Sequence, residues 1–149
     1  MVKANNSNSD NILEFVSEIS SISKYTKVDL VFTSSSLQYT NNPEYIINDL
    51  VCLDPQIFFL TKTAFSTDNK VKVKTEYSKL SGNGPIVNIS AERRPDLISY
   101  VAYIWPKFML DRILSVNYEL IFEINEGIPN GYRLTDHVNL FGMCWKKLR

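Results

Sequence analysis

Two apolar runs without polar alternation stand out along the chain, Val28 to Thr33 (Val-Asp-Leu-Val-Phe-Thr) and Gln56 to Thr61 (Gln-Ile-Phe-Phe-Leu-Thr). Runs of this length and kind predict strands covered on both faces. Between them, Asn41-Asn42-Pro43 supplies turn chemistry with proline at a helix start, and Tyr45, Ile46, Asp49 and Leu50 follow at helical spacing. The helix should end near Leu53, because the residue before Pro55 avoids helical geometry. Strand, helix and strand then form a parallel βαβ unit with a right-handed crossover.

The flanking segments are less uniform. The first ten residues are Asn, Ser and charged groups with little to bury, and residues 1–10 are expected to be loose ahead of a single domain over 11–149. Ile12, Phe15, Val16 and Ile19 behind Asp10 give Asn11 to Ser20 a helical period. From Ser66 to Pro85 the chain turns polar, with Lys70, Lys72 and Lys74 alternating against Val71 and Val73, an exposed loop or edge hairpin whose lysines blunt the edge. Ser81-Gly82-Asn83-Gly84-Pro85 reads as a turn. Pro106 to Leu114 predicts a helix with proline first. Tyr118 to Ile124 and Leu140 to Trp145 predict strands, joined as an antiparallel pair through a loop containing Gly127, Pro129, Asn130 and Gly131.

Composition narrows the choice of function. Sixteen basic and sixteen acidic residues cancel, so no long-range field gathers phosphates, which disfavours nucleic acid as a partner. No segment approaches the length of a membrane span and the N-terminus is polar, so a cytoplasmic protein is expected. Cys52 and Cys144 each lie in apolar surroundings, where core packing is the expected role. With His137 the single histidine and no Cys-x-x-Cys, no metal site is expected. A Gly-x-Ser-x-Gly elbow is also absent from the sequence, which sets serine hydrolases aside.

A more specific signal lies in Lys27-Val28-Asp29-Leu30-Val31-Phe32-Thr33-Ser34-Ser35-Ser36-Leu37-Gln38-Tyr39, then Asn42-Pro43, then Leu53-Asp54-Pro55 before the second strand and Lys62-Thr63 after it. This order resembles a family of bacterial S-adenosylmethionine-dependent methyltransferases often found among surface-polysaccharide genes. Ser99-Tyr100, Trp105, Tyr118-Glu119-Leu120 and the terminal Lys146 and Lys147 fall in the same order. The resemblance implies an α/β fold, a partial doubly wound Rossmann-like methyltransferase sheet ending in an antiparallel β-hairpin. It makes Ile12 to Ser17 a strand where periodicity makes Asn11 to Ser20 a helix. Two elements of that class are missing, the Gly-rich turn for the methionine end of the cofactor and the acid for its ribose, since no glycine precedes Gly82. By resemblance the chain would then be the carboxyl-terminal half of a longer protein, holding S-adenosylmethionine weakly or not at all.

Ligands of doubly wound sheets sit beyond the carboxyl ends of the strands. The resemblance therefore puts Ser34 and Ser35 on the cofactor, and Ser36, Gln38, Tyr39, Lys62 and Thr63 on a small-molecule or glycan acceptor. No catalytic base stands out. His137 reads as a surface loop residue, Glu92-Arg93-Arg94 as a solvated charge cluster, and Trp105 and Trp145 as packing. Two rivals are a methyltransferase-like remnant acting as a non-catalytic interaction module and an unrelated helix-rich binding domain. If the first strand of the class is missing, Val28 to Thr33 has an unpaired edge through which the chain would self-associate.

Overall fold

Asn42 opens the first helix with its own side chain, which accepts a hydrogen bond from the Tyr45 amide at 3.1 Å. Pro43 occupies the first helical position, where its missing N–H costs nothing. The helix, α1 (Pro43–Cys52), stops at Leu53, and Asp54 takes the left-handed conformation just beyond it, φ 56°. The computed structural model describes residues 16–22, 27–78 and 98–149.

On either side of α1 lie β1 (Leu30–Ser34) and β2 (Ile57–Ser66), paired in parallel from Leu30 opposite Ile57 to Ser34 opposite Thr61. This is the predicted βαβ unit. β2 runs past the expected end at Thr61 because one extra residue is absorbed there: Leu60 pairs with Met143 and Thr63 with Phe141, leaving Thr61 and Lys62 opposite Gly142 alone. Lys62 and Thr63 thus lie within the strand rather than after it.

β3 (Lys72–Ser78) is an edge strand antiparallel to β4 (Ile98–Pro106), as the alternating lysines suggested. β4 itself escaped the sequence reading, and its carboxyl end pairs in parallel with β2 at Phe65 and Ser66, beyond the end of β1. Then come α2 (Lys107–Leu114), β5 (Tyr118–Gly127) and β6 (Val138–Lys147). Pro106 caps α2 rather than opening it. The last strand enters between β2 and β5, antiparallel to both. The result is a six-stranded mixed α/β sheet with a parallel βαβ unit and a closing antiparallel hairpin, the fold class read from the sequence.

Both described helices lie on one face. Val31, Phe58, Leu60, Phe141, Met143 and Trp145 point toward Ile47 of α1 and Leu110 and Leu114 of α2, and form the main core. The alternate residues point the other way. Phe32, Phe59, Cys144 and Phe122 stand in one row across β1, β2, β6 and β5, with ring centroids 5.6 Å apart for Phe32 and Phe59 and 6.0 Å for Phe59 and Phe122. Among the described residues this second face is uncovered at Leu30, Phe32, Phe122 and Ile124.

The helix expected over Asn11 to Ser20 does not include Val16 to Glu18: Glu18 is extended, φ −138° and ψ 140°, and only Ile19–Ser21 forms a single 3₁₀ turn. Val16 and Ser17 are not in a strand either. The rest of that segment, residues 1–10 expected to be loose, the turn expected at Gly82 and the expected charge cluster at Glu92 lie outside the described residues. Cys52 is exposed at the end of α1 instead of buried, because helical spacing puts it on the side away from Ile47, Leu50 and Val51, which meet the core; Cys144 is half-buried. No described helix is long and apolar enough to cross a membrane.

Candidate functional site

At the carboxyl end of β1 the backbone turns through Ser35, a non-glycine residue at φ 50°. Across from it Lys62, the bulge residue of β2, is also left-handed at φ 50°. Such conformations cost an ordinary side chain about 1 kcal/mol or more and persist only where surrounding bonds hold them. Here the two strained residues hold each other: the Ser35 amide donates to the Thr61 carbonyl at 3.2 Å, and Ser35 Oγ donates to the Lys62 carbonyl at 3.1 Å.

The bulge has a second clasp from the far side of the sheet. Glu126, itself the unpaired residue of a bulge in β5, reaches over β6 and accepts from Thr61 Oγ1 at 2.8 Å and from the Lys62 amide. The bulge N–H, which has no ladder partner, is thereby satisfied.

Above this junction opens a cleft of about 290 Å³. Ser35, Gln38, Tyr39 and Lys62 form one wall. Ala64, Ile104 and Leu140 supply its apolar lining, and Glu76 of β3 with Asn130 and Tyr132 of the loop between β5 and β6 complete it. Lys74 holds that loop in place by donating to the Gly131 carbonyl at 2.8 Å while its ammonium sits 3.9 Å from the Tyr132 ring centroid.

Glu76 is the focus of the polar groups. The Tyr39 hydroxyl donates to Oε2 at 3.4 Å and the Tyr132 hydroxyl to Oε1 at 3.5 Å. Tyr39 also meets Tyr100, the residue opposite Glu76 on β4, edge to face at 5.1 Å between centroids. Burial, then the Glu76 charge, raises the Tyr39 phenol above its ordinary value, and the same two causes push Tyr132 up to about 12. Both phenols therefore remain protonated donors throughout the neutral range.

Of the residues singled out in the sequence, Ser35, Gln38, Tyr39 and Lys62 come together in the cleft. Ser36 instead shares a 2.6 Å hydrogen bond with Thr33 and tightens the turn. Ser34 is exposed at the end of β1. Thr63 is buried with its hydroxyl on the Thr61 carbonyl, and it faces α2 rather than the cleft. His137 is exposed in a surface turn, where its carbonyl accepts from the Thr67 amide. Trp145 is core, and Trp105 packs beside Leu110. Glu76, Asn130 and Tyr132 were missed, because nothing local marks them: they reach the cleft only through pairing of β3 with β4 and folding of a long loop.

No protein-family model and no curated protein matches this chain. Among solved structures, the N-terminal domain of EvdMO1 with SAH bound is similar at a TM-score of 0.49 and 12% identity, over 90% of this chain and 53% of that one. The same domain in the presence of SAH and D-fucose is similar at 0.47 and 12%, over 88% and 53%. The chain thus spans about half the length of the structures it resembles, and a likeness at this level assigns no activity.

Proposed function

We propose that this chain is the acceptor-binding half of an S-adenosylmethionine-dependent methyltransferase, with the cleft above Ser35 and Lys62 as the place where the acceptor meets the methyl donor. One observation carries the reading: the last strand, β6, enters antiparallel between β2 and β5 while β1 and β2 remain parallel. That is the arrangement implied by the resemblance, which runs from Lys27 through Tyr118-Glu119-Leu120 to Lys146 and Lys147. It leaves the carboxyl end of β1 as the ligand-facing edge.

Ser34 and Ser35 would stand nearest the donor, and Gln38, Tyr39 and Lys62 nearest a small-molecule or glycan acceptor. A sulfonium donor carries its own leaving group, so the protein must chiefly align the reactants and accept a proton when the acceptor is a hydroxyl. The cofactor's glycine turn and ribose acid are not found in the chain. Any affinity of these residues for S-adenosylmethionine is accordingly weak, and the uncovered face of the sheet is where a cofactor-binding half would pack. That same face supports the second reading, a non-catalytic interaction module.

Ultraviolet crosslinking of tritiated S-adenosylmethionine, followed by peptide mapping, tests the reading because it captures weak complexes. Labelling of the peptide containing Ser34 to Tyr39, competed by S-adenosylhomocysteine, is expected. Labelling elsewhere, or none, would overturn it.

A further inference from the structure

The cleft contains a carboxylate that the sequence did not announce and that only two long phenol hydrogen bonds engage among the described residues. Glu76 has no ion-pair partner among the described residues. Its two phenol contacts are at the long end of hydrogen bonding, 3.4 and 3.5 Å. A group held this loosely between two donors is readily met by a third. We propose that Glu76 is the proton-accepting residue of the cleft, and that the cleft takes a neutral, hydroxyl-rich ring such as a pyranose.

The lining selects that chemistry. Glu76 and Lys62 are its two charged residues and cancel, so neither a phosphate nor an ammonium ligand is favoured. The remaining polar groups, the Asn130 and Gln38 amides and the Ser35 and tyrosine hydroxyls, include both donors and acceptors, as ring hydroxyls require. Tyr39 and Tyr132 add aromatic surface on which the C–H face of such a ring can rest. At about 290 Å³ the space suits one small ring rather than a chain.

This names the acceptor class for the methyltransferase reading and rests on that reading for the chemical step alone. In that step the bound hydroxyl gives its proton to the Glu76 carboxylate as its oxygen attacks the methyl carbon of the sulfonium donor. The C–O bond forms, and the C–S bond breaks with its electron pair returning to sulfur, leaving a neutral thioether and a methyl ether. Glu76 then releases the proton to water.

The test is an NMR titration of the full 149-residue chain, labelled at tyrosine rings, with methyl pyranosides of several configurations. Tetramethylammonium and inorganic phosphate serve as opposing probes. Saturating shifts of the Tyr39 and Tyr132 resonances are expected with at least one pyranoside, weakened at least tenfold in Glu76→Gln and unaltered in Tyr77→Phe, an exposed neighbour on the same strand. Glu76→Gln should keep the parent's cooperative thermal transition, which separates recognition by Glu76 from loss of fold. The proposal fails if no pyranoside shifts these rings, if Glu76→Gln binds equally well, or if tetramethylammonium or phosphate binds in their place. Because the readout uses no methyl donor, pyranoside binding without S-adenosylmethionine labelling would sink the transfer reading and keep the site. Labelling without pyranoside binding would do the reverse.

Discussion

Glu126 lies directly over Gly142, so close that a Cβ on the glycine would stand 3.0 Å from Glu126 Oε1 and 3.3 Å from its Cδ. The absence of a side chain at position 142 is what lets the carboxylate cross β6 and close the bulge in β2 through Thr61 and Lys62. Two bulges, on strands that do not pair with each other, are thereby locked together under the cleft.

Gly142→Ala and Glu126→Ala should each destabilise the protein by about 1–2 kcal/mol, the low end for hydrogen bonds to a charged group because the site is partly exposed. Because both act through the same carboxylate, the double variant should cost no more than the larger single. Urea denaturation of the three variants measures this. Additive losses would show that Glu126 does not act through the bulge.

Tyrosine titration provides a second check. The Tyr132 phenol, raised to about 12 by burial and then by Glu76, binds its proton more tightly in the folded chain than in the unfolded one. Its contribution to stability is therefore full below about pH 10, the unfolded value, and is lost as pH rises through 12. In Glu76→Gln the alkaline loss should still begin near pH 10, the ordinary tyrosine value, but be smaller and complete at lower pH, and the Tyr132 transition, followed by absorbance at 295 nm, should move down. An unmoved transition would mean that the carboxylate does not face this phenol.

The uncovered face predicts behaviour in solution. Phe32 is 57% exposed and Phe122 41%, in a row with Phe59, and β1 has no partner beyond β2 among the described residues. Light scattering should show concentration-dependent self-association of the isolated chain, reduced by Phe122→Lys at a stability cost under about 1 kcal/mol. A monodisperse monomer over the accessible concentration range would contradict this.

Legibility followed the locality of the signals. Val31, Phe58 and Leu60 reported their strands because burial is written into short apolar runs, and Asn42-Pro43 with Asp54-Pro55 bracketed α1 to within a residue or two. β4 was readable in principle from Tyr100-Val101-Ala102-Tyr103-Ile104-Trp105, a run rich in strand formers, but was passed over. The end of β2 was not readable: a bulge at Lys62 depends on Glu126, 64 residues away, and on an absent side chain at Gly142. For the same reason half of the cleft was visible. Ser35, Gln38 and Tyr39 follow a strand directly, whereas Glu76 and Tyr132 arrive through non-local pairing.

The cleft above the left-handed Ser35 and Lys62 as the ligand site is tested most directly by Lys62→Gly. Glycine adopts φ 50° without penalty and leaves the amide bond to Glu126 in place, so the melting temperature should rise by about 2–4 °C. Crosslinking of S-adenosylmethionine to the Ser34–Tyr39 peptide and pyranoside shifts at Tyr39 should fall severalfold in the same variant, since a side chain that lines the cleft is gone. A raised melting temperature with labelling and binding unchanged would show that the strain is a local accident of the bulge and that the cleft is not the site.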